Sequence, residues 1–506
     1  MSGLVNGLQN RLRRFESARH LKSKVNRKRV HTTLFFYIIK YRTSHIASTR
    51  TLSTNPQKNV WLIFLFSFYG YNENKRKNAE DLLFRNIMRI FVYHFENHLP
   101  MNGYSIINDP VFGFIKIGKG LHYDIVQHQL FQRLNRINQL GLASVVYPGA
   151  RHTRFQHSIG AYHLMSETIK SLLEKGVYIF DMEAEAVLAA ILMHDIGHGP
   201  FSHVLENTLI HDISHEEISM MMMERMNEDF HGALNLAISI FKDEYHNKIF
   251  HQLISSQLDM DRLDYLRRDS FFTGVTEGNI GSDRIIKMLN VVDEQLVVES
   301  KGIYSIENYL TTRRLMYWQV YLHKTAVGYE KVLINTLRRA KDLVRKGHSL
   351  LAPPALAYFL NNDISAEDFR TQSDALRHYA DLDDCDIWST LKVWRYDSDK
   401  ILSTLATDML DRRLFKVEVL ESASDKHTIN EIRKNIADTL DISFEETEYM
   451  VVVAEIGKDM YNPEDDSIGI LYKDGTVKDI SEASEILNVQ LLSKKIRKYY
   501  LCYQRV

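Results

Sequence analysis

Residues 183–193 form an Ala-rich, apolar run that ends in an adjacent imidazole and carboxylate, His194–Asp195. The run predicts a buried helix, and Gly197, Gly199 and Pro200 stop it directly afterwards. A helix apolar on every side belongs in a core, so the fold must be built around it with two polar side chains at its mouth. Hiding both is costly unless each finds a partner. A divalent metal ion would partner both, because imidazole and carboxylate together suit first-row divalent ions. One such histidine alone would be an ordinary hydrogen-bonded core residue. Here His198 and His203 follow within nine positions, and that reading no longer covers the group.

A chain of 506 residues has room for two or three domains and a large core. Two cysteines, Cys385 and Cys502, exclude a disulfide framework and fit a reducing, cytoplasmic setting. The longest apolar run, residues 60–69, has ten residues, short of the roughly 20 that span a bilayer; no membrane partner is expected. The net charge of −1 conceals an asymmetry: residues 1–100 hold 18 Lys and Arg against 5 Asp and Glu. Three readings of this basic head stand: a nucleic-acid-binding arm, an Arg-rich targeting peptide, or sequence that belongs to no fold. Met101 opens a segment with domain-like patterning, which favours the third. We therefore expect a head over 1–100, a catalytic domain over 101–345 and a smaller region over 346–506.

Within 101–345, Asn108–Asp109–Pro110 marks a turn followed by a short alternating strand. Apolar spacing predicts helices over 123–140, from about 158 to Gly176, over 234–241 and 249–258, and one long helix over 306–345. Residues 296–304 suggest a small hairpin around Lys301–Gly302, and Met220 to Met223 are core filler. Residues 354–414 read as helical. Beyond them, strands near 417–420 and 450–454 flank a helix over 430–440, and Lys473–Asp474–Gly475 turns a hairpin. The expected fold is mainly α, a helical bundle with a smaller α+β C-terminal region.

Three helices can bring His157, His194, Asp195 and Asp261 to one ion. That nitrogen and oxygen set leaves open positions on a six-coordinate Mn, Fe, Co or Mg, and water held there beside a phosphate describes phosphoester hydrolysis. Arg154, one turn before His157, can grip phosphate. His198, His203 and His215 are candidates for phosphate contact or proton transfer, and Glu206 can orient His215.

These residues reach a resemblance. His157, His194–Asp195 and Asp261 match the H…HD…D pattern of the HD-domain phosphohydrolase superfamily. Longer runs resemble its dNTP triphosphohydrolases: Phe131–Gln132–Arg133–Leu134, Gln139–Leu140–Gly141, Arg154–Phe155–Gln156–His157–Ser158, the run HDIGHGPFSH over 194–203, and Asp259–Met260–Asp261. The resemblance covers roughly residues 105–345. It implies an HD-type helical bundle that cleaves a dNTP into deoxynucleoside and inorganic triphosphate. It implies that Arg154, His198, His203, Arg262, Tyr265 and Asp269 contact phosphates or sugar, and that Gln139 and Leu140 sit by base and sugar. His215 looks like the family's proton-transfer histidine, and Arg313 and Tyr321 fall where a phosphate-contacting Arg and a sugar-stacking Tyr are placed. A homo-oligomer and a nucleotide activator follow by the same analogy. Guanine-nucleotide activation uses an Asp and an Arg where this chain has Gln127 and Asn135. Other nucleotides as substrate (a monophosphate or an alarmone), or a nucleic-acid-binding protein without turnover, are the competing functions.

Overall fold

The computed structural model describes residues 103–506 except 202, 207, 211, 372, 423, 459–466 and 485–495, so the basic head lies outside the described residues. The chain is mainly helical, with nine short strands among the described residues. A hairpin of β1 (Tyr104–Asp109) and β2 (Gly113–Gly118) comes first. Helix α1 (Arg154–Glu174) starts at Thr153, whose side chain and that of Gln156 cap each other's backbone N–H groups. Helix α2 (Asp181–Met193) is the expected central one, and from Ala186 to Met193 every residue is buried. Helix α3 (His215–Asp229) follows, capped by Ser214. Helix α4 (Met260–Thr273) begins at Asp259, which accepts from Arg262 N, and ends at Gly274 in the left-handed region. Helix α1 packs against both α2 and α4, so the core is centred where three helices meet.

Three expectations need correction. The helix expected over 123–140 is instead Leu121–Gln127, a short turn Gln129–Gln132 and a 3-10 segment Arg133–Arg136. His128 is extended, with its ring accepting from Leu130 N at 3.2 Å, and so starts a new turn. The hairpin near 296–304 is instead β3 (Leu289–Val292) with β4 (Gln295–Glu299). Asp293 and Glu294 both adopt positive φ, the geometry of a tight two-residue hairpin without its usual Gly. The helix expected over 306–345 is α5 (Ile303–Met316), a π turn over Tyr317–Tyr321, and α6 (Lys324–Arg345). Carbonyls freed at this break are taken by tyrosines: Tyr147 Oη donates to Gln319 O and Tyr500 Oη to Leu322 O.

Residues after Arg345 supply further helices, one three-stranded sheet and two strands of a four-stranded one. Strands β5 (Lys416–Leu420), β9 (Ile496–Tyr503) and β6 (Val451–Lys458) pair antiparallel. Strand β7 (Gly469–Leu471) lies parallel to β4 and antiparallel to β8 (Val477–Asp479), so an early hairpin and a late one share one sheet. Both cysteines are free. No described helix is long and apolar enough to cross a membrane.

Candidate metal centre

His157 stands in the first turn of α1, His194 caps the end of α2, and Asp261 lies in the first turn of α4. One ligand atom from each falls within 4.8 Å of the others. His157 Nδ1 lies 2.7 Å from Asp264 Oδ2, and His194 Nδ1 lies 2.6 Å from Ile191 O. Both neighbours only accept, so each neutral ring keeps its proton on Nδ1 and turns a bare Nε2 inward. The two Nε2 atoms are 3.2 Å apart, with Asp261 Oδ1 at 3.1 and 3.6 Å from them. Three lone pairs pointing at one space need a cation between them. Asp195 borders the same space, its oxygens 3.5 Å from His194 Nε2 and 3.7 Å from His157 Nε2.

Charges in the pocket say the same. Burial opposes protonation of His157, yet hydrogen bonds to Asp261 and Asp264 push its pKa up to about 10. Burial likewise opposes protonation of His194, and Asp195 and Asp261 outweigh it. Asp261, which burial alone would neutralise, is held well below the carboxylate range by His157 and His194. A pocket that demands positive charge takes a proton when no metal is bound, so binding a divalent ion must displace it. We expect addition of Mn²⁺ to metal-stripped protein near neutral pH to release roughly one proton or more per ion, read with an indicator dye in weak buffer. The sign follows: metal affinity falls as pH falls. Uptake without proton release would show that the rings are already neutral.

Behind His157 runs a buried relay that sequence reasoning missed. Arg268 Nε and Nη2 each donate to Asp264 at 2.9 Å, and Arg268 Nη1 donates to Asp109 Oδ2 at 2.7 Å. Asp109 comes from the Asn-Asp-Pro turn, where its other oxygen caps Val111 N and Phe112 N. The i, i+4 spacing of Asp264 and Arg268 was a signal for a pair on one face of α4; nothing local linked Asp109 to it. Gly160 makes room for this pair, since a Cβ there would lie 1.9 Å from Asp264 Oδ1.

Arg154 is buried and donates to Asp195 Oδ2. Burial works against the Asp195 charge, but Arg154, His194 and a hydrogen bond from His198 hold its carboxyl well below the usual range. His198 Nε2 lies 3.3 Å from Asp195 Oδ1, and burial together with Arg154 drives its pKa down to about 3, so the ring is neutral. It stacks on His215 with ring centroids 3.9 Å apart. Gly197 allows that approach, because a Cβ would fall 2.2 Å from His215 O. Ser219 Oγ donates to His194 O and accepts from Gly197 N, both at 2.9 Å. His203 and Glu206 lie on the short helix His203–Glu206, and their side chains are outside the described residues.

Asp261, Tyr265 and Asp269 follow one face of α4 at successive turns. Tyr321 Oη donates to Asp269 Oδ2 at 2.6 Å, and His152 Nε2 lies 2.7 Å from Asp269 Oδ1. The rings of Tyr265 and Tyr321 meet edge to face at 6.0 Å. Arg262 Nε donates to Asp259 Oδ2 at 3.0 Å, and Arg313 Nη1 to Gln257 Oε1 at 2.6 Å, so each arginine is tethered beside this face. Leu140 packs against the core. Gln139 Oε1 is buried with no hydrogen-bond partner among the described residues. Arg154 and His198 thus adjoin the candidate ligands at Asp195, while Tyr265, one turn beyond Asp261, meets Tyr321.

An HD domain is matched over residues 154–269 and an HD associated region over 280–348. The crystal structure of a phosphohydrolase from Bacteroides thetaiotaomicron is 63% identical, with a TM-score of 0.78, covering 79% of this chain and 100% of that one. The uncharacterized protein YwfO of Bacillus subtilis is 30% identical over 412 residues, 79% of this chain and 92% of the relative. The Dictyostelium discoideum homolog of the deoxynucleoside triphosphate triphosphohydrolase SAMHD1 is 29% identical over 269 residues, 49% of this chain and 52% of that one. The HD match begins at Arg154 and ends at Asp269, and so encloses all four expected ligands. With that span and the cation-demanding group inside it, the chain belongs to the HD-domain phosphohydrolases and resembles the dNTP triphosphohydrolases among them.

Proposed function

We propose that the chain hydrolyses deoxynucleoside triphosphates to deoxynucleoside and inorganic triphosphate. The observation that carries this is the continuity of α4: the face that starts at Asp261 runs on through Tyr265 to Asp269 and Tyr321. A polyphosphate held at the ligand end leaves its sugar and base beside aromatic rings. Likeness to the named triphosphohydrolase supports the same substrate class. The chemistry is assigned to 101–345, with 346–506 supporting it.

His157, His194, Asp195 and Asp261 would hold a divalent ion, Mn, Mg, Fe or Co. When bound, it would supply charge neutralisation on the phosphates and a more acidic water. Water attacks the α-phosphorus, the bond from that phosphorus to O5′ breaks, and the new oxygen stays on the triphosphate. The departing O5′ needs a proton, for which His215, stacked on His198, would be the donor. Arg154 keeps Asp195 ionised, and Arg262 and Arg313 add positive charge for the phosphates. Gln139 Oε1 accepts from a sugar hydroxyl, and Leu140 fills the space a 2′-hydroxyl would need. His203 and Glu206 keep their proposed roles as phosphate contact and His215 orienter. The functional unit is a homo-oligomer, and any nucleotide activator binds without the Asp and Arg that Gln127 and Asn135 replace.

The full-length protein incubated with each dNTP and Mn²⁺ or Mg²⁺, with products resolved by anion exchange, tests this. Triphosphate and deoxynucleoside should appear in equal amounts. Orthophosphate or pyrophosphate alone would transfer the chain to another nucleotide phosphohydrolase class.

A further inference from the structure

Arg133 is fully buried, and its guanidinium donates to five backbone carbonyls. Nη1 reaches Ile196 O at 2.9 Å and His198 O at 2.7 Å, in the loop that carries the HD histidines. Nη2 reaches Tyr379 O and Leu382 O, both at 3.2 Å, and Nε reaches Ala380 O at 3.0 Å, at the end of helix α7 (Ser373–Asp381). Tyr379 Oη donates to Gly197 O at 2.8 Å. Burial brings the Arg133 pKa down to about 10, and the carbonyl set compensates for the lost hydration. Residues 379–382 are thus tied to the same loop that presents His194, Asp195 and His198.

The tie continues toward the sugar side. Arg136 pairs with Asp383, and Asn138 donates twice to Asp384 Oδ2, from N at 3.0 Å and from Nδ2 at 2.8 Å. Asp384 opens helix α8 (Asp384–Trp394) and is 4% exposed. Asn138 itself bridges Thr153, while Gln139 N donates to His152 O at 2.9 Å and Arg154 N to Ile137 O at 3.0 Å. Residues 137–139 therefore lie antiparallel to 152–154, held from outside by one carboxylate of the C-terminal region.

We propose that Asp384 is a positioning residue of the active site: by fixing Asn138 it sets where Gln139 and Leu140 stand, and so how tightly the nucleotide is held. Its effect on substrate rests on the nucleotide reading above; its hold on residues 137–139 does not.

Full-length Asp384→Ala, Asn138→Ala and the double variant are compared with wild type at saturating metal. Asp384→Ala removes both hydrogen bonds and should raise KM for the dNTP about tenfold; Asn138→Ala removes only the Nδ2 bond and should raise it less, each with kcat within about twofold. Metal content should stay unchanged, and the double variant should be no worse than Asp384→Ala alone. Asp384→Asn, which keeps an oxygen acceptor for Asn138, should recover most of the affinity. Backbone amides over 137–140 should exchange faster in Asp384→Ala, and those of α2 should not. An unchanged KM in folded Asp384→Ala, additive effects in the double variant, or loss of metal each overturns the proposal. If Asp384→Ala does not fold, Asn138→Ala tests the Nδ2 bond alone, with a smaller rise in KM expected and an unchanged KM overturning the proposal. If wild type turns over no dNTP, the substrate reading fails, and exchange over 137–140 alone decides, with unaltered rates overturning the positioning role.

Discussion

Replacing His194 by alanine is expected to strip the chain of its divalent metal and to lower hydrolysis by about a thousandfold or more. A bound ion provides several kcal/mol of transition-state stabilisation, and each ~1.4 kcal/mol is a factor of ten. His194 contributes one of the three converging lone pairs, and its removal leaves Asp261 and Asp195 facing a single imidazole. The fold should tolerate the loss, because beyond the ligand group the ring is held through the Ile191 carbonyl at 2.6 Å, a bond on the protein side that alanine gives up without leaving a buried charge. His157→Ala should lose metal too, but at an added cost in stability, since it also removes a partner from buried Asp264. Metal per chain by atomic absorption, together with turnover on dNTP, checks the pair. Wild-type turnover in His194→Ala would remove the metal assignment.

Gly160→Ala is expected to weaken folding by about 3–5 kcal/mol, the range for breaking a buried ion pair. The new methyl would sit 1.9 Å from Asp264 Oδ1 and 2.1 Å from Arg268 Nη2. Both partners are fully buried, so neither can swing into water to make room. Either α1 and α4 part or the pair is broken, and in both cases Asp264 loosens its grip on His157 Nδ1. Urea unfolding gives the stability change, and metal titration should show weaker binding in the same protein. A loss below about 1 kcal/mol would mean that the two helices are not in such close contact.

Legibility followed the reach of each interaction along the chain. The central helix was plain because eleven apolar-rich positions and the Gly and Pro after them act locally. His157, His194 and Asp261 were singled out by their H…HD…D spacing over three expected helices, and the structure brings the three side chains together. Side-chain bonds to distant backbone were not legible. Tyr147 and Tyr500 bond carbonyls at the π turn from segments far away in sequence. The Asp293–Glu294 turn puts Glu at a positive φ where a tight hairpin usually signals itself with Gly. At the site, the Asp109–Arg268–Asp264 relay was hidden because its three charges look like ordinary surface residues until they are buried together. Arg154, expected against phosphate, also donates to Asp195, a partner that spacing alone does not reveal.

The shared sheet bears on how the chain is made. Val297 of β4 lies opposite Gly469 of β7, so at a synthesis rate of 5–20 residues per second the β3–β4 hairpin waits roughly 10–30 s for its parallel neighbour. During that interval its outer edge is a row of unpaired backbone groups able to template pairing with another nascent chain. Pairing across so long a loop is intrinsically slow, so joining β7 to β4 should be among the last steps of folding. Aggregation losses at high expression should then concentrate in chains halted between these two strands.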